Sequence, residues 1–230
     1  AINGFLPMNM VSLVSVDMVS IILNDNLKLK WIFSKYYKKF KIIKFKFEFK
    51  INLEDIIKIL ESGTSQNKIE ILETLQNTNN LKILQQIILK LNDESIQVRG
   101  EAFNVLLLNQ NKISKILISN LNSSNKNIKG FTVLVLANRN EKEAIPEIIK
   151  LVHDEYEMVR SCAIGALGYL KAEKIGDIIL KLLSDSNLEV QKSALQAAIQ
   201  TNLIISKEKI EIKLKSDDQQ IKNLLLKLKK

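Results

Sequence analysis

Residues 145–170 read IPEIIKLVHDEYEMVRSCAIGALGYL, and the spacing of their apolar side chains decides the fold. Ile145, Ile148, Ile149 and Val152 recur at the period of one helix face, and Pro146 suits a first helical turn, where its missing N–H leaves nothing unpaired. His153-Asp154-Glu155 interrupts the run as a polar turn. A second stripe follows, Met158, Val159, Cys162, Ala163, Ala166, Leu167 and Leu170, again at steps of three and four. The stretch therefore reads as two antiparallel helices around a short turn.

The same unit recurs along the chain. Ile69, Val98, Ile128, Val159, Val190 and Ile221 occupy equivalent places 29, 30, 31, 31 and 31 residues apart, the mark of an internal repeat. A base follows four of them, in Val98-Arg99, Ile128-Lys129, Val159-Arg160 and Ile221-Lys222, while Glu70 and Gln191 follow the others. Four residues after the last five come Ala102, Thr132, Ala163, Ala194 and Leu225; the first unit breaks the pattern with Glu73. Such an i, i+4 pair occupies one helix face, and small residues on it let a neighbouring helix approach closely.

Helix pairs are accordingly expected over 53–60 with 66–76, 81–91 with 95–108, 112–121 with 125–137, the unit at 145–170, 173–183 with 187–200, and 207–214 with 218–228. The first and last pairs carry the weakest patterns, as terminal repeats do. The central turns are rich in Asp, Asn and Ser, whose side chains accept hydrogen bonds from the free N–H groups opening the second helix. No unit this short buries both stripes alone; stacked side by side, the units share one core. The expected fold is all-α, a right-handed α-solenoid of about six helix pairs over residues 52–230, preceded by a non-repeat segment over residues 1–51.

The segments LNDESIQVRGEA at 91–102, LVHDEYEMVRSCAIGALG at 151–168 and LLSDSNLEVQKSALQAA at 182–198 resemble HEAT-like repeats of the short kind first noted in phycobilin lyases. That pattern runs Leu, an acidic or polar turn, Val-Arg, then an Ala-rich helix ending in Leu-Gly. The resemblance covers residues 52–230 and implies the solenoid; such arrays mostly serve as scaffolds and binding surfaces, so it says little about a specific activity. Lys129 and Gln191 depart from the pattern by replacing its Arg. Gly100 and Gly130 fall inside expected helices, where each costs about 1 kcal/mol against Ala.

The first fifty residues differ in kind. They hold nine lysines against Asp17, Asp25 and Glu48, a balance of +6 out of the chain's +9, which leaves +3 for the repeats. Eight of the thirteen aromatics, Trp31, Phe33, Tyr36, Tyr37, Phe40, Phe45, Phe47 and Phe49, cluster within residues 31–49. Residues 44–51 alternate strictly, the pattern of an extended strand. Residues 5–23 are apolar, but Pro7, Asn9, Asp17 and three serines argue against a membrane helix, which needs roughly 20 apolar residues. A secretory signal fits less well still, with no basic stretch before the apolar run. The segment is read as an amphipathic cap or a non-native leader. The alternative is a membrane anchor through 5–23, with contact over residues 5–50 and the array in the cytoplasm.

Candidate chemistry is sparse. His153 is the only histidine, which removes any mechanism built on a His pair and any match to the His-Glu pairs of HEAT-like di-iron hydroxylases. With Cys162 as the one cysteine, Cys/His metal clusters fail as well, and no intrachain disulfide forms, in keeping with a reducing, cytoplasmic setting. Cys162 lies on the apolar stripe and reads as a small buried hydrophobe. The seven glycines form no phosphate loop, and a base-excising HEAT-like activity lacks its tryptophans, since Trp31 precedes the array. No catalytic residue, cofactor, metal or nucleic-acid partner is expected.

One polar feature repeats: the column Arg99, Lys129, Arg160, Gln191 and Lys222. In a stack, equivalent positions form a ladder, so this column is either a stripe for an acidic partner or a set of braces to the turn acids Asp93, Asp154 and Asp185. The offset of six residues from Asp93 to Arg99 and from Asp154 to Arg160 favours bracing, and Lys129, whose own turn has Ser123 in place of the acid, must reach a neighbouring unit. The functional expectation is a non-catalytic scaffold that binds another protein along the surface of its second helices. The alternatives are an accessory lyase or chaperone subunit acting on a tetrapyrrole-bearing protein, and a basic adaptor at a membrane or nucleic-acid surface using residues 28–50.

Overall fold

Five helix pairs and the second helix of a sixth make up the described part of the chain. They are α1 (Leu53–Ser62) with α2 (Ser65–Thr74), α3 (Leu81–Leu89) with α4 (Ile96–Leu108), α5 (Ser114–Ser119) with α6 (Lys126–Asn138), α7 (Ile145–Lys150) with α8 (Glu157–Tyr169), α9 (Gly176–Leu182) with α10 (Leu188–Gln200), and α11 (Gln219–Lys227). The computed structural model describes residues 52–203, 210 and 218–228. The expectations for 1–51, including the strand at 44–51 and the segment at 5–23, lie outside the described residues, as does the helix at 207–214 apart from the buried Ile210. Among the described residues there is no strand, and no helix is long and apolar enough to cross a membrane.

The caps follow from the turn chemistry. Ser95, Asn125, Asn187 and Asp218 each accept a hydrogen bond from an amide in the first turn of the helix they open. Behind them, Asp93, Ser123, Asp154 and Asp185 accept from the amide two residues on, which leaves few of the free N–H groups without an acceptor. Tyr156, which precedes α8, makes no such side-chain cap.

The first helices end differently from the expectation. Instead of continuing as α-helix through 91, 121 and 152, the backbone tightens into 3-10 turns at Lys90–Asn92, Asn120–Asn122 and Leu151–His153. The tighter pitch turns Leu91, Leu121 and Val152 into the core, where all three are buried. At the other end of the unit, α6, α8 and α10 each close with a left-handed residue, Asn140, Lys171 or Asn202. A 6→1 bond accompanies each, from the Glu141, Ala172 and Leu203 amides to the Leu136, Leu167 and Ala198 carbonyls.

The second helices pack side by side in the order α2, α4, α6, α8, α10, α11, while α1, α3 and α5 pack successively in the other layer. Val98, Val159 and Val190 are fully buried between them, with Ala102, Ala163 and Ala194 one turn on. Ile69 and Glu73, in the first described pair, are only half-buried. Between α8 and α10 the approach is close at Gly168, where a Cβ would stand 2.6 Å from the Ala197 Cα. Gly100 has no such reason, since a Cβ there would meet nothing within 4 Å.

Candidate functional site

The base column runs along the turn ends of the second helices, and its contacts have a direction that the sequence conceals. Arg160 Nε donates to Asp185 Oδ2 at 2.8 Å and Nη2 to Oδ1 at 2.9 Å, while Nη1 holds the carbonyls of Asp154 and Glu155 at 2.9 and 3.1 Å. One guanidinium thus bonds its own turn through carbonyls and the next unit's turn through a bidentate carboxylate pair. Lys129 likewise reaches forward to Asp154 Oδ2, and Lys68 to Asp93 Oδ2 at 2.8 Å. In all three the base precedes its acid by 25 residues.

The offset of six residues therefore has another meaning than the expected one. Arg99 does not touch the Asp93 carboxylate; its Nη1 donates to the Asp93 and Glu94 carbonyls at 2.7 and 3.1 Å. Gln191 Nε2 does the same to the Asp185 carbonyl at 2.6 Å, and Lys222 is exposed on α11. The physical reason is a division of labour within each turn acid. In each, Oδ1 accepts from the amide two residues on and Oδ2 takes the base of the preceding unit, with Asp185 Oδ1 accepting from Arg160 Nη2 as well.

Two bases of the ladder lie outside the expected column. Lys68 precedes Ile69, whereas the expected bases follow their apolar marker, and Lys192 follows Gln191 and pairs with Asp218 at 3.3 Å. Four of the five junctions between successive units thus carry a base–acid pair. The junction between the second and third units is the exception among the described residues, because Ser123 stands where a carboxylate would meet Arg99.

Burial pushes the Asp93 carboxyl up, but hydrogen bonds from Lys68 and the Ser95 amide, with the charges of Lys68 and Lys90, outweigh it and hold the group below its ordinary value. Asp185 repeats the balance with Arg160 and the Asn187 amide. The hydrogen bond from Arg160 to Asp185 in turn raises the guanidinium's pKa above the ordinary value. Lys129, buried beside Asp154, also lies 5.4 Å from the Tyr156 ring centroid, so its charge is met by a carboxylate and an aromatic face together.

A third clamp went unread in the sequence. Arg139, in the loop after α6, donates through Nη1 to the carbonyls of Leu106, Leu107 and Asn109, through Nη2 to that of Asn111 at 3.0 Å, and through Nε to Glu141. It satisfies the carbonyls left open where α4 ends. The chain's three arginines, Arg99, Arg139 and Arg160, all bond main-chain carbonyls in this way.

The remaining candidates sit apart. Cys162 is half-buried, less enclosed than its place on the stripe suggested, and burial pushes its thiol up to about 11. His153 is exposed at the end of a 3-10 turn. Among the described residues, no group of three or more His, Cys, Asp and Glu side chains is arranged to hold a metal ion.

A model of the HEAT-repeat family matches residues 114–200, from the start of α5 to the end of α10. These residues are HEAT repeats. Solved structures similar to this chain include an engineered protein, 17% identical, over 76% of this chain and 94% of that one, with a TM-score of 0.48. A designed armadillo repeat protein in complex with the peptide (KR)4 is 18% identical over 77% of this chain and 98% of that one, with a TM-score of 0.45. No curated protein matches the chain.

Proposed function

We propose that the array is a non-catalytic scaffold that holds another protein against the outer surface of its second helices. HEAT arrays commonly mediate protein–protein interaction, and the observation that carries the reading here is the continuous layer α2, α4, α6, α8, α10, α11. At equivalent places on that layer Leu108 and Tyr169 stand 58% and 54% exposed, and on the intervening α6 Phe131 and Leu134 are half-buried. Large apolar side chains left in water at repeated positions are the pattern of a contact surface, and aromatic ones carry much of an interface's energy. In this reading the base–acid rungs set the spacing of the layer, and the contact energy comes from the side chains between them.

The test is affinity purification of the tagged chain from its native cells beside a Leu108→Glu/Tyr169→Glu variant of equal melting temperature. Proteins retained by the wild type and lost from the variant support the face assigned here. Equal recovery by the two refutes it.

A further inference from the structure

The Arg99 junction offers a partner something that the other junctions withhold. In Arg160, Nη1 is anchored on the carbonyls of Asp154 and Glu155, and this aims Nε and Nη2 at the Asp185 carboxylate. Arg99 is anchored in the same way, by Nη1 on the Asp93 and Glu94 carbonyls. By equivalence with Arg160, its Nε and Nη2 edge is directed to the third unit's turn, where the equivalent residue is Ser123, and no carboxylate meets it among the described residues. A fixed guanidinium fork with its carboxylate missing is a preorganised receptor for one, since little rotamer freedom remains to be lost on binding. Access is open as well: Gly100, next in the chain, is exposed, and a Cβ there would meet nothing within 4 Å, so an incoming chain can approach the helix backbone closely.

We infer that the free edge of Arg99, beside Ser123, is the docking point for a carboxylate side chain of an acidic protein partner. This rests on the scaffold reading above and adds the chemistry that the partner presents. The incoming carboxylate takes the place that Asp185 takes on Arg160, and the position of the slot at one junction fixes the register of the partner along the array.

The test uses the full chain labelled with 15N. Its three arginines give three side-chain Nε–H signals, so Arg99 is read directly against Arg139 and Arg160 as internal controls. The probes are an acetylated, amidated Glu-rich decapeptide, the same peptide with Gln for Glu, and sodium acetate. With the Glu peptide the Arg99 signal shifts saturably while Arg160, already paired with Asp185, stays in place; the Gln peptide moves neither. Ser123→Asp fills the slot from within and raises the peptide's half-saturation concentration at least tenfold. Arg99→Gln, followed by anisotropy of a labelled peptide, gives the same loss independently. No Arg99 shift, an undiminished response in Ser123→Asp, or saturation by acetate at the peptide's own concentration overturns the proposal. A native partner captured equally by wild type and Arg99→Gln, yet lost from Leu108→Glu/Tyr169→Glu, leaves the scaffold reading standing and removes the docking point.

Discussion

Gly165 and Gly168 lie one turn apart on α8, and replacing each by Ala is expected to move stability in opposite directions. In a helix interior Ala is favoured over Gly by about 1 kcal/mol. At Gly165 a Cβ meets nothing within 4 Å, so Gly165→Ala gains that amount with no offsetting contact. At Gly168 the new carbon would stand 2.6 Å from the Ala197 Cα and 2.8 Å from its Cβ, and a main-chain atom cannot swing aside. Carbon atoms rest at ~3.5–4.0 Å, so α8 and α10 must part by roughly 1 Å. Overpacking of this kind costs ~1–3 kcal/mol, and with backbone as the obstacle the upper half of that range applies. Gly168→Ala is then destabilised by about 1–2 kcal/mol net, which separates the two variants by about 2–3 kcal/mol. Urea titration followed by far-UV circular dichroism measures the difference. A Gly168→Ala protein as stable as wild type refutes the claim that α8 and α10 are in contact through a missing side chain.

Arg160→Gln breaks a pair whose side chains are 16% and 9% exposed and is expected to cost ~3 kcal/mol, against less than ~0.5 kcal/mol for Lys150→Gln, where the lysine of the pair with Glu147 is 67% exposed; denaturation midpoints separate them. Arg139→Lys should destabilise nearly as much as Arg139→Gln, because one ammonium cannot reach the four carbonyls that the guanidinium holds, and amide exchange should quicken first after the end of α4. Asp93 and Asp185 are held below their ordinary pKa in the folded state, so they add stability that is fully present above about pH 5 and is lost as pH falls through the depressed values. The melting temperature is therefore expected to be flat from neutral pH to about 5 and to drop below about 4, less steeply in Asp185→Asn.

Helix pairing was legible because the apolar period is local: Val98 with Ala102 and Val159 with Ala163 announce buried faces four residues apart. The direction of the ladder was not. Asp93 and Arg99 sit close in the chain, and nearness in sequence suggested a pair, whereas the carboxylate is spent on the previous unit and the arginine on its own turn's carbonyls. Lys68 and Lys192 carry no mark in the sequence because they are displaced from the column, Lys68 by two residues from Glu70 and Lys192 by one from Gln191, shifts that a long flexible side chain absorbs but a column of letters does not. Arg139 lies in a loop with no periodicity to mark it, and its acceptors are main-chain atoms that no sequence motif records.

The uneven rungs have a mechanical consequence. The second and third units are fastened at their loop end by Arg139, yet toward their turn end the described polar contacts are neutral amide bonds, from Asn127 to Asn92 at 2.8 Å and between Gln85 and Asn120 at 2.9 and 3.1 Å. A charge-assisted bond is roughly twice as strong as a neutral one. Under load this junction, which lacks a charge-assisted rung among the described residues, is expected to splay about Arg139 before the Lys129–Asp154 and Arg160–Asp185 junctions yield. An object gripped at that junction would thereby set the angle between the units on either side of it.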